Sequence, residues 1–575
     1  MNVSVTRLRD LRTRSSDAGF DAWLFNCLLD NNLLHSMNPQ ITASREQLRF
    51  MVHLEHDQPF LPCRDTTFFD LSDNLKHQYE RAWRMVMSIL DTMPYPESER
   101  ERIRGFCRYR FDRYVSSHNV IPSRVVKRLV AYVTALNGPF DPWVERRAEA
   151  IARHKRTLSS DTVTRELQYL PAECFPGMKT IRDMNRHLHL LVLARYASLM
   201  ANVRAWSENF PSGEELRRHF AEAENKMEAL GSALDVLGRP GSTILLLSDA
   251  DGGTLYDLSL AHFFTAHGLK VIYAVKEGFY FHSPTMQDVQ ENDDLREALR
   301  GAHVITNPSI SKNDLLKALR EWRLVVISDG TRERLNLARV SVTFSRAWKE
   351  SDLVIAHGWR KRFRLIDTSV SFTRDIFCFW EDRDGFDVRF RPHDPAERKF
   401  SEAEINALSD AIIEEMREAR AKNRPVVFYS CVIGSIPGET KTATSLVNAF
   451  VGDLRKRMPE AYIINPAEHF VEGMDGDDLM FMWERVQRSG YITVWRFQTA
   501  EDIEKGFALL GRDVPQKWIG KDSTFSTGCT QEMHIAQDVL RKNPEMQIVG
   551  PAPERFFRRR SYGVGKYFDA QLASR

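Results

Sequence analysis

The stretch 244-ILLLSDADGGTLYDL-258 decides the fold class of this chain. A run of four apolar residues passes directly into an acidic, glycine-containing segment, and an apolar-rich segment follows it. This order predicts a buried strand that turns into a helix, where Gly252 and Gly253 allow a close approach of the backbone to a ligand. The carboxylates of Asp249 and Asp251 would therefore lie at the carboxyl end of the strand, where α/β proteins bind ligands.

Strand-like and helix-like segments continue to alternate after this stretch. The apolar runs are ILLLSD, KVIYAVK, HVITNP, LVVISDG and LVIAHG, and segments such as NDLLKALREW separate them. This alternation predicts a parallel sheet with right-handed crossovers. Residues 75–235 instead carry apolar residues at spacings of three and four, which indicates helices, and LGRPGS at 237–242 ends them. The predicted fold class is α/β, a helical N-terminal domain followed by a doubly wound, Rossmann-like, mostly parallel sheet.

Changes of pattern along the chain give a predicted domain organisation. Residues 375–400 indicate an aromatic, charged connector or a β-ribbon, and Ser401 with Glu404 indicates a capping box that opens a helix. Strand and helix patterns then resume, which predicts that the sheet continues. The predicted segments are an irregular region 1–75, a helical domain 76–238, a first α/β half with the site 239–400, an α/β continuation 401–510 and a basic, aromatic C-terminal segment 511–575.

Composition and charge exclude several classes of protein. Lys plus Arg total 80 and Asp plus Glu total 78, so the net charge of +2 provides no strong field to attract nucleic acid or an acidic membrane. The seven cysteines are scattered and form no CxxC pair, as expected for a protein of a reducing compartment. No window approaches the 18 or so apolar residues that cross a bilayer. We therefore expect a cytoplasmic protein without a membrane partner, and the charge disfavours nucleic acid.

Polar residues follow each predicted strand, at the edge where ligands collect in open α/β sheets. Asp249 and Asp251 suit a hard cation such as Mg²⁺, although Asp251 could equally cap the next helix. Lys276, His357 and Lys441 are candidates to neutralise phosphate charge. The complete set of candidates for catalysis and phosphate binding is Asp249, Asp251, His357, Lys276, Thr306, Asn307, Arg360, Lys441 and Thr442.

The loop CVIGSIPGETKTATSL, residues 431–446, has the setting of a phosphate loop between a strand and a helix. Its spacing departs from the nucleotide-binding Walker A pattern, because Glu439 and Thr440 separate Gly438 from Lys441 and Thr442. An anion at this helix N-terminus and an ordinary strand-to-helix turn both remain open interpretations.

Two known families resemble the opening stretch. The haloacid-dehalogenase phosphohydrolases carry an apolar strand followed by Asp-x-Asp-Gly-Thr, and this chain has one more Gly before Thr254. That resemblance would make Asp249 a nucleophile and Asp251 a general acid/base. Because the additional residue shifts Thr254, we rank this family second.

Several strand ends together resemble the damage-control phosphatases and their branch of acidic-residue-methyltransferase-like proteins. The segments are LLLSDADGGTLYDLSLAHFFTAHGLKVIYAVK, PTMQDV, VVISDGT and SDLVIAHG, and the resemblance covers about residues 240–370. It implies a metal-dependent phosphatase of small phosphorylated metabolites, particularly sugar phosphates, with Asp249 as a metal ligand. The chain departs from the family pattern in four places: Ala250 replaces an Asn, residues 251–254 (Asp-Gly-Gly-Thr) replace Ala-Gly-Glu, Ser283 replaces an Asp, and His357 replaces a Lys before Gly358.

These departures leave two outcomes for the metal. The site could be rebuilt, with Asp251, His282 or Asp329 joining Asp249 as ligands of Mg²⁺ or Mn²⁺, or of Fe, Co, Ni or Zn. Alternatively, the metal could be lost. The leading predicted function is metal-dependent hydrolysis of a sugar- or ribose-phosphate metabolite. The alternatives are a non-catalytic binder of a nucleotide or sugar phosphate and a transferase that uses the same cleft.

Overall fold

A computed structural model describes most of the chain from residue 73 to residue 557. The described ranges are 73–117, 122–135, 141–170, 178–202, 211–231, 233–248, 253–332, 335, 340–367, 372–382, 385–393, 400–436, 439–469, 471, 474 and 476–557. The chain divides into two compact units, residues 1–394 and 395–575. Within the described ranges, no helix is long and apolar enough to cross a membrane.

A sheet of seven strands forms the centre of the first unit. Its order is β3-β4-β2-β1-β5-β6-β7, and every neighbouring pair is parallel except β6 and β7, which form an antiparallel hairpin. The strands are β1 Thr243–Leu247, β2 Lys270–Val275, β3 His303–Ile305, β4 Leu324–Ser328, β5 Leu353–His357, β6 Asp375–Asp382 and β7 Gly385–Arg391. This arrangement confirms the predicted α/β class, the five predicted parallel strands and the predicted β-ribbon.

Helices of the first unit precede the sheet and connect its strands. The helices before the sheet are α1 Asp73–Thr92, α2 Glu97–Ser117, α3 Pro122–Ala135, α4 Val144–Leu158, α5 Asp161–Gln168, α6 Ile181–Ala201 and α7 Gly213–Glu228. Those that connect strands are α8 Thr254–Ala266, α9 Met286–Glu291, α10 Asp293–Ala298, α11 Lys312–Glu321, α12 Val342–Glu350 and α13 Trp359–Leu365.

The two faces of the sheet bury separate apolar clusters. Alternate residues of a strand point to opposite faces, so Leu245 and Leu247 join the cluster that contains residues of α1 to α3, α11 and α12. Ile244 and Leu246 join the cluster that contains residues of α4 to α8. The helical segment 76–238 therefore does not form a domain of its own, because its apolar surfaces share both cores with the sheet.

The second unit has its own sheet, which is parallel throughout and has the order β11-β10-β8-β9. Its strands are β8 Val426–Ser430, β9 Tyr462–Ile464, β10 Val494–Phe497 and β11 Gln547–Val549. Its helices are α14 Glu402–Ala421, α15 Thr440–Arg457, α16 Gly476–Gln487, α17 Ala500–Leu509, α18 Thr527–Lys542 and α19 Pro553–Phe557.

This second sheet differs from the expected continuation of the first one over residues 401–510. The antiparallel strand β7 occupies the edge of the first sheet, and the chain then starts a new sheet at β8. Residues 511–557, predicted as a basic tail, supply α18, β11 and α19 to this sheet and its core. The predicted capping box is confirmed, since the Ser401 and Glu404 side chains each accept a backbone N–H at the start of α14.

Candidate functional site

The direction of winding of the first sheet reverses between β1 and β5. Strands β2, β3 and β4 lie on one side of β1, and strands β5, β6 and β7 lie on the other. Ligands of open α/β sheets bind outside the carboxyl ends of the strands at such a switch point. The end of β1 at Leu247 and the turn at Gly358 after β5 therefore lie at the edge of the sheet where a ligand is expected.

The described residues on either side of the loop after β1 show how its ends are held. The Ser248 N–H donates to the Ala274 carbonyl oxygen at 3.1 Å, which fixes the end of β1 against β2. Gly253 precedes α8 with φ of 90°, a left-handed conformation that glycine adopts without strain. No described side chain caps this helix, so its first N–H groups are suited to an anion. Asp249 and Asp251 lie outside the described residues.

A buried ion pair joins the ends of the neighbouring strands β2 and β4. The Lys276 ammonium donates to Asp329 Oδ2 at 2.6 Å and to Thr331 Oγ1 at 3.0 Å, and the Lys276 and Asp329 side chains are each 7% exposed. Asp329 Oδ1 accepts the Thr331 backbone N–H at 2.8 Å. Both oxygens of the carboxylate are therefore engaged, and the charge of Lys276 is balanced within the protein.

A tight turn holds Asp329 in this position. Gly330 has φ of 75°, and a Cβ atom there would lie 2.7 Å from the backbone nitrogen of Ser341. The same Ser341 N–H donates to the Asp329 carbonyl oxygen at 2.9 Å. The turn leaves no room for a side chain at residue 330.

His357 lies in the core beneath helix α8. Its Nε2 is 3.0 Å from Asp257 Oδ1, at ion-pair distance but without the geometry of a directed hydrogen bond. The Asp257 carboxylate also accepts the Tyr273 hydroxyl at 2.8 Å, and the His357 ring stacks on Phe379 with centroids 5.4 Å apart. His357 was predicted to act in catalysis at the strand ends. In the structure its side chain instead faces the helix layer and is 2% exposed.

His282 contacts the helical segment rather than Asp329. The Trp143 indole N–H lies 3.3 Å from His282 Nε2 and donates to it. Nearby, the Arg147 guanidinium donates to both oxygens of Asp288 at 2.8 and 3.0 Å and to the Phe281 carbonyl oxygen at 3.0 Å. Arg147 therefore ties helix α4 to the segment that follows Lys276.

Arg147 also donates to a second carboxylate, that of Asp141, at 2.5 Å. Burial by itself lowers the pKa of Arg147, and the hydrogen bonds to Asp141 and Asp288 raise it above its ordinary value. The guanidinium is thus a permanent positive charge between two carboxylates in the interior.

The remaining predicted residues have other surroundings. Thr306 and Asn307 are exposed beyond the edge strand β3, where Asn307 Oδ1 accepts the Ser309 N–H at 2.9 Å and orders the turn. Arg360 places its guanidinium over its neighbour Trp359, 5.1 Å from the ring centroid. Lys441 and Thr442 belong to the second unit, at the start of α15.

The described residues do not form a metal site by themselves. No group of three or more His, Cys, Asp or Glu residues with suitable positions occurs among them. Of the predicted ligands, Asp329 already holds Lys276 and Thr331 with both oxygens, and His282 Nε2 already accepts the Trp143 N–H. Only Asp249 and Asp251 are left from the predicted set, and both lie outside the described residues.

Three residues that matter to this region were not selected from the sequence. Thr331 completes the shell of Asp329, and its position two residues after Asp329 in VVISDGT is the turn signal that could have identified it. Asp257 stands out as the one charge in TLYDLSLAHFF. Arg147 gives no local signal, because its partner Asp288 is 141 residues away.

Comparisons with known proteins give weak structural likeness and no family match. No family model matches the chain, and no curated protein matches it. Among solved structures, it is similar to the crystal structure of a DUF89 family protein from Pyrococcus horikoshii, with 19% sequence identity and a TM-score of 0.36. This similarity covers 53% of the present chain and 90% of the other chain.

Proposed function

We propose that the first unit binds a small phosphorylated metabolite, a sugar or ribose phosphate, and hydrolyses its phosphate ester. The observation that carries the proposal is the switch point between β1 and β5, where β1 ends at Leu247 and α8 begins at Thr254 with a first turn that no described side chain caps. Backbone N–H groups in that turn are suited to phosphate oxygens. The resemblance of the strand-end motifs to the damage-control phosphatases agrees with this chemistry.

Within the proposal, Asp249 and Asp251 hold a divalent ion, Mg²⁺ or Mn²⁺. Asp329 is paired with Lys276 and is assigned no ligand role in this proposal. Two carboxylates with water and substrate phosphate are a sufficient shell for Mg²⁺. Lys276 supports the site by holding the ends of β2 and β4 together, and it does not act as a free cation.

A second candidate function is binding of the same class of ligand without catalysis. It is favoured by the contacts of Asp329 and His282, two of the four predicted metal ligands, which already accept hydrogen bonds within the protein. A protein that lacks the ion would keep the crevice and the helix N-terminus but would have no means to activate water.

One experiment separates the two candidates. Metal content and phosphate release from a panel of sugar phosphates are measured for the wild type, for Asp249→Ala and for the control Asp293→Asn. Asp293 suits the control because its carboxylate belongs to the same unit and is 87% exposed. We expect metal and phosphate release in the wild type and in Asp293→Asn, and the loss of both in Asp249→Ala. A folded wild type with neither metal nor turnover would reject the hydrolase and leave the binding protein.

A further inference from the structure

The sheet of the second unit has a switch point of its own, between β8 and β10. Strand β9 lies on one side of β8, and β10 and β11 lie on the other. Ser430 ends β8 opposite Phe497, the last residue of β10, and the next residue, Gln498, donates its backbone N–H to the Ser430 carbonyl oxygen at 2.8 Å. The loops after these two strands therefore diverge from one point, which is where parallel sheets of this kind bind ligands.

The side chain of Gln498 is buried at this point with half of its amide unused. Gln498 has no exposed surface, and its Oε1 accepts the Val432 backbone N–H at 2.9 Å. Because a backbone N–H requires an acceptor, this bond fixes the orientation of the amide, and the other atom must be the NH₂ group. That Nε2 atom finds no hydrogen-bond partner in the described part of the chain.

Ser523 presents a second unused polar group next to the first. Its backbone N–H donates to the Gln498 carbonyl oxygen at 2.9 Å, while its buried hydroxyl has no partner among the described residues. Ser523 begins the turn that leads to Ser526, the N-cap residue of α18. The Ser435 hydroxyl, in the loop after β8, donates to Ser526 Oγ at 3.0 Å and brings that loop to the same place. Buried donors without acceptors are uncommon in folded proteins, and these two belong to residues that a backbone hydrogen bond joins.

The charges around this point are compatible with an anionic ligand. The Glu439 carboxylate, beside the start of α15, lies 3.2 Å from the Lys517 ammonium, and the Asp522 carboxylate lies 2.8 Å from the Arg555 guanidinium. Both carboxylates are therefore paired with cations. A third carboxylate, that of the buried Glu532, accepts hydrogen bonds from Ser430 and Gln487, and burial raises its pKa to about 7. Helix α15 has no side-chain cap in the described structure, and Lys441 is exposed in its first turn.

We propose that the Gln498 amide, the Ser523 hydroxyl and residues 431–436 of the second unit bind the phosphoryl group of a small metabolite. The unused groups are donors, and phosphate oxygens are strong acceptors for amide, hydroxyl and helix N-terminal N–H groups. This site is distinct from that of the first unit and does not depend on the hydrolase activity proposed there.

Hydrogen–deuterium exchange of the full chain localises such binding, because peptides report each unit separately. The probes are adenosine 5′-monophosphate, ribose 5-phosphate and inorganic phosphate, each titrated against the wild-type protein. We expect slower exchange in peptides that cover residues 431–436 and 523–529. Protection by all three probes would define a site that recognises the phosphoryl group by itself. Protection by the two esters but not by inorganic phosphate would define a site that also contacts the sugar or nucleoside. No protection of these peptides by any probe would overturn the proposal.

Two variants test the assigned groups. Ser523→Ala removes only the unused hydroxyl, so we expect an unchanged or slightly higher melting temperature together with an affinity about tenfold weaker. Gln498→Glu keeps the acceptor for the Val432 N–H and replaces the donor with a carboxylate oxygen, which should abolish protection. Ser409→Ala is the control, because that buried serine of the same unit has partners in the Ile405 and Met482 carbonyl oxygens. Wild-type affinity in a folded Ser523→Ala protein would contradict the assignment.

Discussion

The Lys276 ammonium and the Asp329 carboxylate, 53 residues apart in the sequence, form an ion pair of 2.6 Å in the interior of the first unit. Each follows a strand of the sheet, and those two strands, β2 and β4, are neighbours. Because the pair is buried and Thr331 satisfies the remaining oxygen, its charges are balanced within the fold. The pair therefore joins the ends of β2 and β4 at one edge of the proposed site.

The first prediction concerns this pair. Lys276→Met should lower the free energy of unfolding by about 3–5 kcal/mol, because it leaves the Asp329 carboxylate buried without its cation. The double variant Lys276→Met/Asp329→Asn should recover part of this loss, since it removes the unpaired charge as well. Urea denaturation of the wild type, both single variants and the double variant gives the coupling energy. Equal losses in Lys276→Met and in the double variant would contradict a direct pair.

The second prediction concerns Arg147, which joins helix α4 to Asp288. Arg147→Met should destabilise the first unit by about 3–5 kcal/mol, because Asp288 and Asp141 would lose the cation between them. It should also speed hydrogen exchange in residues 279–288, which Arg147 holds through the Phe281 carbonyl oxygen. Arg146→Met is the control, because this exposed neighbour lies over the Trp143 ring, a contact worth at most about 1 kcal/mol. Similar effects in both variants would show that the ion pairs do not hold the segment.

The third prediction separates backbone conformation from steric contact. Gly330 and Gly301 both have left-handed backbones, with φ of 75° and 87°. Ala at either position should cost about 1 kcal/mol from conformation alone. Gly330→Ala should cost more, because its Cβ would meet the Ser341 backbone at 2.7 Å, whereas nothing lies within 4 Å at Gly301. Melting curves of the two variants provide the comparison, and equal shifts would show that the turn at Gly330 relaxes without cost.

The strands could be predicted from the sequence because their signal is local. The runs that begin at Ile244 and Leu324 are apolar throughout and end in Ser-Asp, and both become strands buried at every position. The β-ribbon and the capping box at Ser401 could be predicted for the same reason, since each depends on residues close together in the chain. The residue at which the first sheet ends could not be predicted, because the antiparallel pairing of β7 that ends it depends on tertiary packing.

The direction of side chains at the strand ends was not predictable. Polar residues after successive strands were expected to meet in one crevice, and the pairing of Lys276 with Asp329 agrees with that expectation. His357, by contrast, continues the series of Leu353 and Ile355 on one face of β5 and turns into the core beneath α8. A change of one residue in register would have sent it to the opposite face. Neither that register nor the pairing with Asp257 can be predicted from the local sequence pattern.

The fourth prediction concerns the pH dependence of the second unit. Burial raises the pKa of Glu532 to about 7, against the opposing effect of hydrogen bonds from Ser430, Gln487 and Cys529. The folded state therefore holds a proton that the unfolded state releases near its ordinary pKa of 4.5. The contribution of Glu532 to stability is complete below pH 4.5 and is lost as pH rises through 7, a change of about 3 kcal/mol.

Glu532→Gln should remove this dependence, because an amide stays neutral at every pH and can still accept the Gln487 N–H, now 3.0 Å from Glu532 Oε1. Between pH 4.5 and pH 8, the free energy of unfolding of the variant should rise relative to that of the wild type by about 3 kcal/mol. Urea denaturation of the full chain at pH 4.5, 6 and 8 measures the difference, with the exposed Glu545→Gln as the control that should remain parallel to the wild type. A constant difference between Glu532→Gln and the wild type across this range would mean that Glu532 titrates at its ordinary pKa and is solvated in the folded protein.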